Sequence, residues 1–266
     1  MLTFYKYQGT GNDFIMVDNR DKKFNPDLPA IKKLCDRRFG IGADGLILLE
    51  NAKGYDFSMV YFNSDGNEST MCGNGGRCIT AFAAFLGIIK NTAKFIAIDG
   101  EHEANIFENA LPAGRRGIVS LKMKDVSAIE KSGNDFILDT GSPHFVRFVE
   151  NVSAVDVFHE GRKIRQSERF AAKGINVNFV ELKDGILNVR TYERGVEDET
   201  LSCGTGVTAA TLAVASAGLV KGKEECAINV SGGNLKVKYK TTNGNSFSDV
   251  WLEGSASFVF EGEFEI

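Results

Sequence analysis

The sequence predicts an α/β (α+β) fold in two pseudo-symmetric halves, each a curved, mostly antiparallel sheet or short barrel around a central helix. Three observations predict it. Two short motifs, Met71-Cys72-Gly73-Asn74-Gly75-Gly76-Arg77 and Ser202-Cys203-Gly204-Thr205-Gly206-Val207, are each followed by an apolar run of helix length. The offset of 131 residues that carries Cys72 onto Cys203 also carries Ala84 and Gly87 onto Ala215 and Gly218, Leu46, Leu48 and Glu50 onto Val177, Phe179 and Glu181, and Ile106, Val119 and Leu121 onto Val237, Val250 and Leu252. Such a repeat has the size of a domain, too long for a solenoid unit. Finally, the runs Cys78–Ile89 and Val207–Val220 are apolar on every side and rich in small residues. A helix of that kind is buried, and a strongly curved sheet is the natural container.

Taken in order, the segments Leu2–Tyr7, Phe14–Asp18, Leu46–Glu50, Ser58–Phe62, Phe95–Ile98, Ala104–Phe107 and Ile118–Met123 alternate or run apolar between Gly, Asn and Asp, which reads as a meander of strands. Pro29–Arg38 places Ala30, Ile31 and Leu34 at helical spacing opposite Lys32, Lys33, Asp36 and Arg37, the pattern of a surface helix. Asn151–Arg165 reads the same way, more weakly. Turns correspond too, with Asn109–Gly117 over Lys240–Ser248. The last strand, Ala256–Glu261, lies beyond the second copy and is expected to return to the first half. The domains are therefore expected at 1–124 with 255–266, carrying Cys72, and at 125–254, carrying Cys203.

Composition narrows the partners. With 266 residues, 43% of them hydrophobic, there is material for one or two full cores. A net charge of −4, from 31 basic and 35 acidic residues spread along the chain, offers no cationic stripe for nucleic acid and points to a small-molecule substrate. No signal-peptide pattern opens the sequence and no apolar run reaches the roughly 20 residues of a membrane span, so no membrane partner and a cytoplasmic location are expected. Five cysteines, an odd number, fit reduced thiols better than a disulfide framework. Gly40-Ile41-Gly42-Ala43-Asp44-Gly45 matches G-x-G-x-x-G but follows a helix and precedes a strand, so it reads as turn geometry instead of a nucleotide site. Cys72 and Cys78 form no C-x-x-C pair and His102, His144 and His159 are scattered, so no metal is expected. Cys35, Cys78 and Cys226 read as small core hydrophobes.

Cys72 and Cys203 read differently because the same device occurs twice. A packing cysteine needs neither a glycine beside it nor a second two residues on. A thiol at a helix start lies among unpaired N–H groups and the positive end of the macrodipole, which favour thiolate and bind carboxylate. Such surroundings lower a cysteine pKa from about 8.5 into the range of about 3.5–7.5. Two such thiols, titrating as a coupled pair, suit removal of a proton from one face of a carbon and its replacement on the other. No residue pattern supplies pyridoxal phosphate, so no cofactor is expected, and the carbanion must be stabilised by preorganised donors. Those donors are the N–H groups of Gly73, Asn74, Gly204 and Thr205.

Gln8-Gly9-Thr10-Gly11-Asn12-Asp13-Phe14, Phe62-Asn63-Ser64-Asp65-Gly66, Cys72-Gly73-Asn74-Gly75-Gly76-Arg77-Cys78, Tyr192-Glu193-Arg194-Gly195 and Cys203-Gly204-Thr205-Gly206 stand in the order of the diaminopimelate epimerase family. The chain resembles that family over nearly its whole length. The resemblance implies two pseudo-symmetric α/β halves, a homodimer, and cofactor-independent interconversion of LL- and meso-2,6-diaminoheptanedioate in lysine and peptidoglycan precursor biosynthesis. It further implies that Asn12 binds the reacting end, that Asn63, Asn176, Glu193 and Arg194 bind the distal amino and carboxylate groups, and that His144 with Glu193 tunes the thiols. On the residues alone, Asn12 and Asn63 are turn residues and Glu193-Arg194 is a solvated pair. Three positions depart from the family pattern: Ser142 stands where many relatives have Asn, Gly45 where some have Gln, and the loop through Glu197-Asp198-Glu199 is one residue longer. A proline or hydroxyproline racemase of the same fold would keep the thiols without the distal set. A redox thiol pair would explain the cysteines but not the glycines.

Overall fold

The computed structural model of the chain describes residues 1–107 and 116–265; most of the expected turn at Asn109–Gly117 lies outside them. Contacts divide the chain into two compact units, 1–121 with 254–266, and 122–253.

In the first unit the chain runs β1 (Leu2–Gly9), β2 (Asn12–Asp18), α1 (Leu28–Cys35), β3 (Gly45–Glu50), β4 (Phe57–Asn63), β5 (Glu68–Ser69), α2 (Gly73–Phe85), β6 (Thr92–Ala97), β7 (Gly100–Phe107) and β8 (Arg116–Lys122). In the second it runs β9 (Glu130–Ser132), β10 (Asp135–Asp139), β11 (Pro143–Phe148), a 3-10 turn (Val152–Ala154), α3 (Val157–Arg165), β12 (Asn176–Lys183), β13 (Ile186–Glu193), β14 (Asp198–Thr200), α4 (Gly204–Ser216), β15 (Glu225–Val230) and β16 (Gly233–Asn243). A 19-residue strand, β17 (Ser246–Phe264), begins in the second unit and ends in the first.

The first sheet closes on itself. Pairing runs from β1 through β2, β3, β4, β6, β7, β8 and β17 back to β1, with only β2–β3 and β4–β6 parallel. Closure removes the exposed edges that an open sheet must protect. In β3 both faces are buried, because Leu46 and Leu48 pack with Ile31, Leu34 and Cys35 of α1 while Ile47 lies against the first turn of α2. Phe82 of α2 meets the rings of Tyr5 and Tyr7 on β1; each such buried side chain contributes roughly 1.5–3 kcal/mol. The second unit repeats the order as β10, β11, β12, β13, β15, β16, with β11–β12 and β13–β15 parallel. Val177 and Phe179 of β12 pack in one cluster with Val157 of α3 and Tyr192 of β13.

The central helices are matched at both ends. Each starts at the residue after its cysteine and stops four residues before the expected end, because Gly87 (φ 71°) and Gly218 (φ 72°) turn the chain left-handed. Ile88 N–H donates to Ala83 O and Gly87 N–H to Ala84 O, and Leu219 and Gly218 do the same to Val214 O and Ala215 O. This is the Schellman pattern, which satisfies the orphan carbonyls. The first surface helix is also shorter than expected, since Asp36 accepts the N–H groups of Arg38 and Phe39 and ends it at Cys35. The second is broken by two caps, Asn151 on the 3-10 turn and Asp156 on α3.

Among the described residues no helix is long and apolar enough to cross a membrane, and no group of three or more His, Cys, Asp or Glu could hold a metal.

Candidate active site

Cys72 is the N-cap of α2, with extended backbone (φ −98°, ψ 147°), and its Sγ accepts the Gly75 N–H at 3.1 Å. A sulfur thus stands where a serine or aspartate oxygen usually caps a helix. The second glycine of the motif serves the sulfur directly: a Cβ on Gly75 would lie 3.1 Å from Cys72 Sγ, and one on Gly76 would lie 2.9 Å from both Leu121 Cδ2 and Met71 Sδ.

Around this helix start stands a network of charged and amide groups. Thr10 (φ 50°) and Gly11 (φ 86°) form the tight turn joining β1 to β2, which places Asn12 at the strand start. Asn12 Nδ2 donates to Asp44 Oδ2 at 2.6 Å, and Asn12 Oδ1 accepts from Asn74 Nδ2 at 3.2 Å. Asn74 Oδ1 accepts from Arg77 Nη2 at 3.0 Å, and the same nitrogen donates to Thr10 Oγ1 at 3.0 Å. Arg77 is fully buried, donates also to Gly73 O, and has its pKa lowered by burial. Asp13 pairs with Lys6 and with both terminal nitrogens of Arg37, which also reaches Asp44. Burial alone would raise the Asp13 pKa, but hydrogen bonds from Arg37 and Lys6 hold the carboxyl well below the usual range. Asn63, at the end of β4, accepts from the Tyr61 hydroxyl at 2.8 Å. Gly45 has no room for a side chain, since a Cβ would lie 2.6 Å from Phe62 O and from the Tyr61 ring.

Cys203 is the N-cap of α4 but makes no side-chain cap; its Sγ lies 3.5 Å from Thr205 Oγ1. Thr205 Oγ1 is 3.1 Å from Ser142 Oγ, which is 3.0 Å from His144 Nε2. His144 is fully buried, and burial pushes its pKa down to about 3, so the ring is neutral. Asn178, also fully buried, donates to His144 Nδ1 at 3.1 Å and Phe145 O at 2.9 Å and accepts from Thr191 Oγ1 at 2.9 Å. A Cβ on Gly206 would fall 2.4 Å from Asn178 Oδ1 and 3.3 Å from Cys203 Sγ. Thr140 Oγ1 donates to Thr205 O at 2.9 Å. Asn176 Oδ1 accepts from the Arg194 backbone N–H at 2.8 Å, while Asn176 Nδ2 donates to Ser142 Oγ at 3.2 Å and Pro143 O at 3.3 Å. The Arg194 guanidinium donates to Lys173 O, and Glu193 Oε2 accepts from Thr200 Oγ1. The loop before Cys203 turns at Gly195 and at Glu197, whose carboxylate accepts the Gly195 N–H.

Of the residues singled out in the sequence, Asn12, Cys72, Gly73 and Asn74 lie in one cluster of the first unit, and His144, Asn176, Cys203, Gly204 and Thr205 in one cluster of the second. Asn63 is held by Tyr61, and Glu193 and Arg194 are held by Thr200 and Lys173. Thr10, Asp44, Arg77, Thr140 and Asn178 belong to these clusters and were not foreseen as participants. Asn178 carried a readable signal, since it repeats Asn176 two positions on among Val177, Phe179 and Val180. Burial raises the pKa of Cys35 to about 11 and also raises those of Cys78 and Cys226, as core thiols.

A sequence profile of diaminopimelate epimerase matches residues 4–121 and 136–259. The chain is 55% identical over 262 residues to the diaminopimelate epimerase of Flavobacterium psychrophilum, covering 98% of this chain and 99% of that one. It is 40% identical over 278 residues to that of Aquifex aeolicus, covering 98% and 97%. Solved structures share the fold at low identity. A PhzF-family phenazine biosynthesis protein of Bacillus anthracis matches with a TM-score of 0.76 at 12% identity, over 100% of this chain and 99% of that one. A hydroxyproline epimerase of Agrobacterium vitis matches with 0.70 at 15%, over 98% and 91%.

Proposed function

We propose that this chain, which belongs to the diaminopimelate epimerase family, interconverts LL- and meso-2,6-diaminoheptanedioate by two-base proton transfer between Cys72 and Cys203. The observation that carries the reading is the repeated device: a cysteine at the N-cap of a buried central helix, with amide donors at the next two positions, in both halves. One thiolate takes the α-proton, the C–H electron pair stays on the α-carbon, and the other thiol delivers its proton to the opposite face. The thiolate and thiol have then exchanged places, and the reverse reaction starts from that state. The N–H groups of Gly73, Asn74, Gly204 and Thr205, with the Asn12 amide, hold the α-carboxylate as charge develops on it.

At the distal end, Arg194 takes the second carboxylate, Glu193 takes the ammonium, and Asn63 and Asn176 satisfy what remains. A substrate without a second amino acid head group would leave those groups unpaired, which is how such sites discriminate. Retention of that set disfavours a proline-type racemase. The reading also carries a homodimer, as the family resemblance implies, and a reducing cytoplasm in which the thiols persist. Sedimentation giving the 29.0 kDa of one chain removes the homodimer.

The test is proton NMR of LL-diaminopimelate in D2O with wild type, Cys72→Ala and Cys203→Ala. Deuterium entering one α-position, with meso product from wild type alone, is expected. Wild type that neither exchanges nor epimerises this substrate ends the reading, and the same assay with proline then tests the racemase.

A further inference from the structure

The second cluster contains a run of hydrogen bonds whose direction is fixed by what each group can donate. Phe145 O only accepts, so the Asn178 atom facing it is the amide nitrogen, and its other N–H points to His144 Nδ1. Nδ1 is therefore an acceptor, and the single proton of the neutral ring is on Nε2, directed at Ser142 Oγ. The Arg194 backbone N–H only donates, so Asn176 Oδ1 faces it and Asn176 Nδ2 donates to the same Ser142 Oγ. With both lone pairs of Ser142 Oγ filled, its own proton goes to Thr205 Oγ1 at 3.1 Å. Thr205 Oγ1, now an acceptor, turns its proton to Cys203 Sγ at 3.5 Å.

We propose that Ser142 and Thr205 form a hydroxyl relay, oriented by His144, Asn176 and Asn178, that delivers a hydrogen-bond donor to the Cys203 sulfur and so favours its thiolate. Both are positioning residues for Cys203, and neither hydroxyl needs to exchange a proton with substrate. A donor to the charged form lowers a pKa, and a chain of hydrogen bonds pointing one way strengthens each member. Asp139 at the end of β10 and Arg194 after β13 are charged groups that act on His144; Glu193 accepts from Thr200, and α4 carries no charged side chain. The relay depends on the serine hydroxyl at 142. It rests on the reading of Cys203 as a catalytic thiol, but its test uses no substrate.

The test follows the ultraviolet absorbance of the Cys203 thiolate against pH in a Cys72→Ala background. The three core thiols stay protonated through the neutral range, because burial raises all their pKa values. Thr205→Val is expected to raise the midpoint by about one pH unit, the worth of one hydrogen bond to a charged group. Thr205→Ser should restore it, and Ser142→Ala should raise it by a smaller amount. An unmoved midpoint in Thr205→Val, or failure of Thr205→Ser to restore it, overturns the relay. Should Thr205→Val lose its near-ultraviolet dichroism, Ser142→Ala decides, and an unmoved midpoint there overturns the relay. A moved midpoint in a protein that does not epimerise diaminopimelate leaves the relay standing and removes only the proposed substrate.

Discussion

The two cysteines sit at matching N-caps of helices with matching glycine ends, yet their sulfurs meet different kinds of donor. Cys72 takes a backbone N–H of its own helix at 3.1 Å, whereas Cys203 takes a side-chain hydroxyl at 3.5 Å. The surroundings diverge in the same sense. At the 131-residue offset, Asp13 lies over His144 and Arg77 over Thr208: the first half uses an ion-paired carboxylate and a buried guanidinium, the second a neutral imidazole and a hydroxyl. Duplication has kept what the backbone requires and left the side chains that set charge to drift apart. Two thiols with unlike surroundings are suited to holding unlike protonation states, which a two-base reaction needs at the start of every turnover.

The largest expected break in this comparison comes from Arg77. Arg77→Met removes donors to Asn74, Thr10 and Gly73 together and should cost about 2–4 kcal/mol in urea unfolding. Thr208→Val, at the matching place, loses one hydroxyl bond to Gly204 O and should cost about 1 kcal/mol. Equal costs would mean that the guanidinium is not the keystone of the first cluster.

The glycines beneath the sulfurs give the next contrast. Gly206→Ala drives a Cβ against the buried, fully bonded Asn178 amide and should cost about 1–3 kcal/mol, with loss of the Cys203 thiolate signal. For Gly75→Ala the three nearest atoms are Cys72 Sγ, Ile47 Cδ1 and Met59 Cε at 3.1–3.2 Å, side-chain ends that can shift. Its cost should stay below about 1 kcal/mol; a reversed order in thermal unfolding breaks the comparison.

A smaller effect should follow Asp44→Ala, which frees the Asn12 amide to turn. The expected loss is about tenfold in kcat/KM, the worth of one charge-assisted hydrogen bond to a ligand-holding side chain. Unchanged kcat/KM in steady-state kinetics, with only urea unfolding affected, would demote Asp44 to a surface ion pair.

Taken over a single pH unit, acid gives the smallest effect. His144 in the native state stays neutral down to about pH 3, whereas the unfolded histidine binds a proton from about 6.5, so stability falls as pH drops through that window. Asp13 works lower: its depressed pKa gives stability present above about 3.8 and lost only as pH falls below that value. Between pH 6.5 and 5.5 the loss should be about 1 kcal/mol, with hydrogen exchange rising first in residues 122–253. His144→Gln should flatten the slope; an unchanged slope assigns the acid sensitivity elsewhere.

The parts of this picture legible in sequence are those governed by local rules. Repeated Cys-Gly motifs marked the helix starts, alternating apolar runs marked the strands, and all-round apolar runs marked the central helices. The helix ends are not legible in an all-round apolar pattern, because nothing in it distinguishes a small helix residue from Gly87 and Gly218, which turn left-handed and terminate the helices. The polar clusters were less legible, since Asn12 meets Asp44 across 32 residues and Arg77 meets Thr10 across 67, and no local pattern records such pairings. Ser142 was legible as a departure but not as a relay, because its meaning depends on which way two distant amides point.

The long strand β17 has a consequence in time. Residues 254–264 supply the strand that bridges β8 and β1 and closes the first barrel. On a ribosome, which ordinarily lets the earlier-made domain fold first, the half made first must wait with β1 and β8 unjoined until residues 254–264, beyond the second half, have emerged. A chain stalled before residue 254 would hold Cys72 and its helix in an unclosed sheet, so completion of the first half follows synthesis of the whole second half.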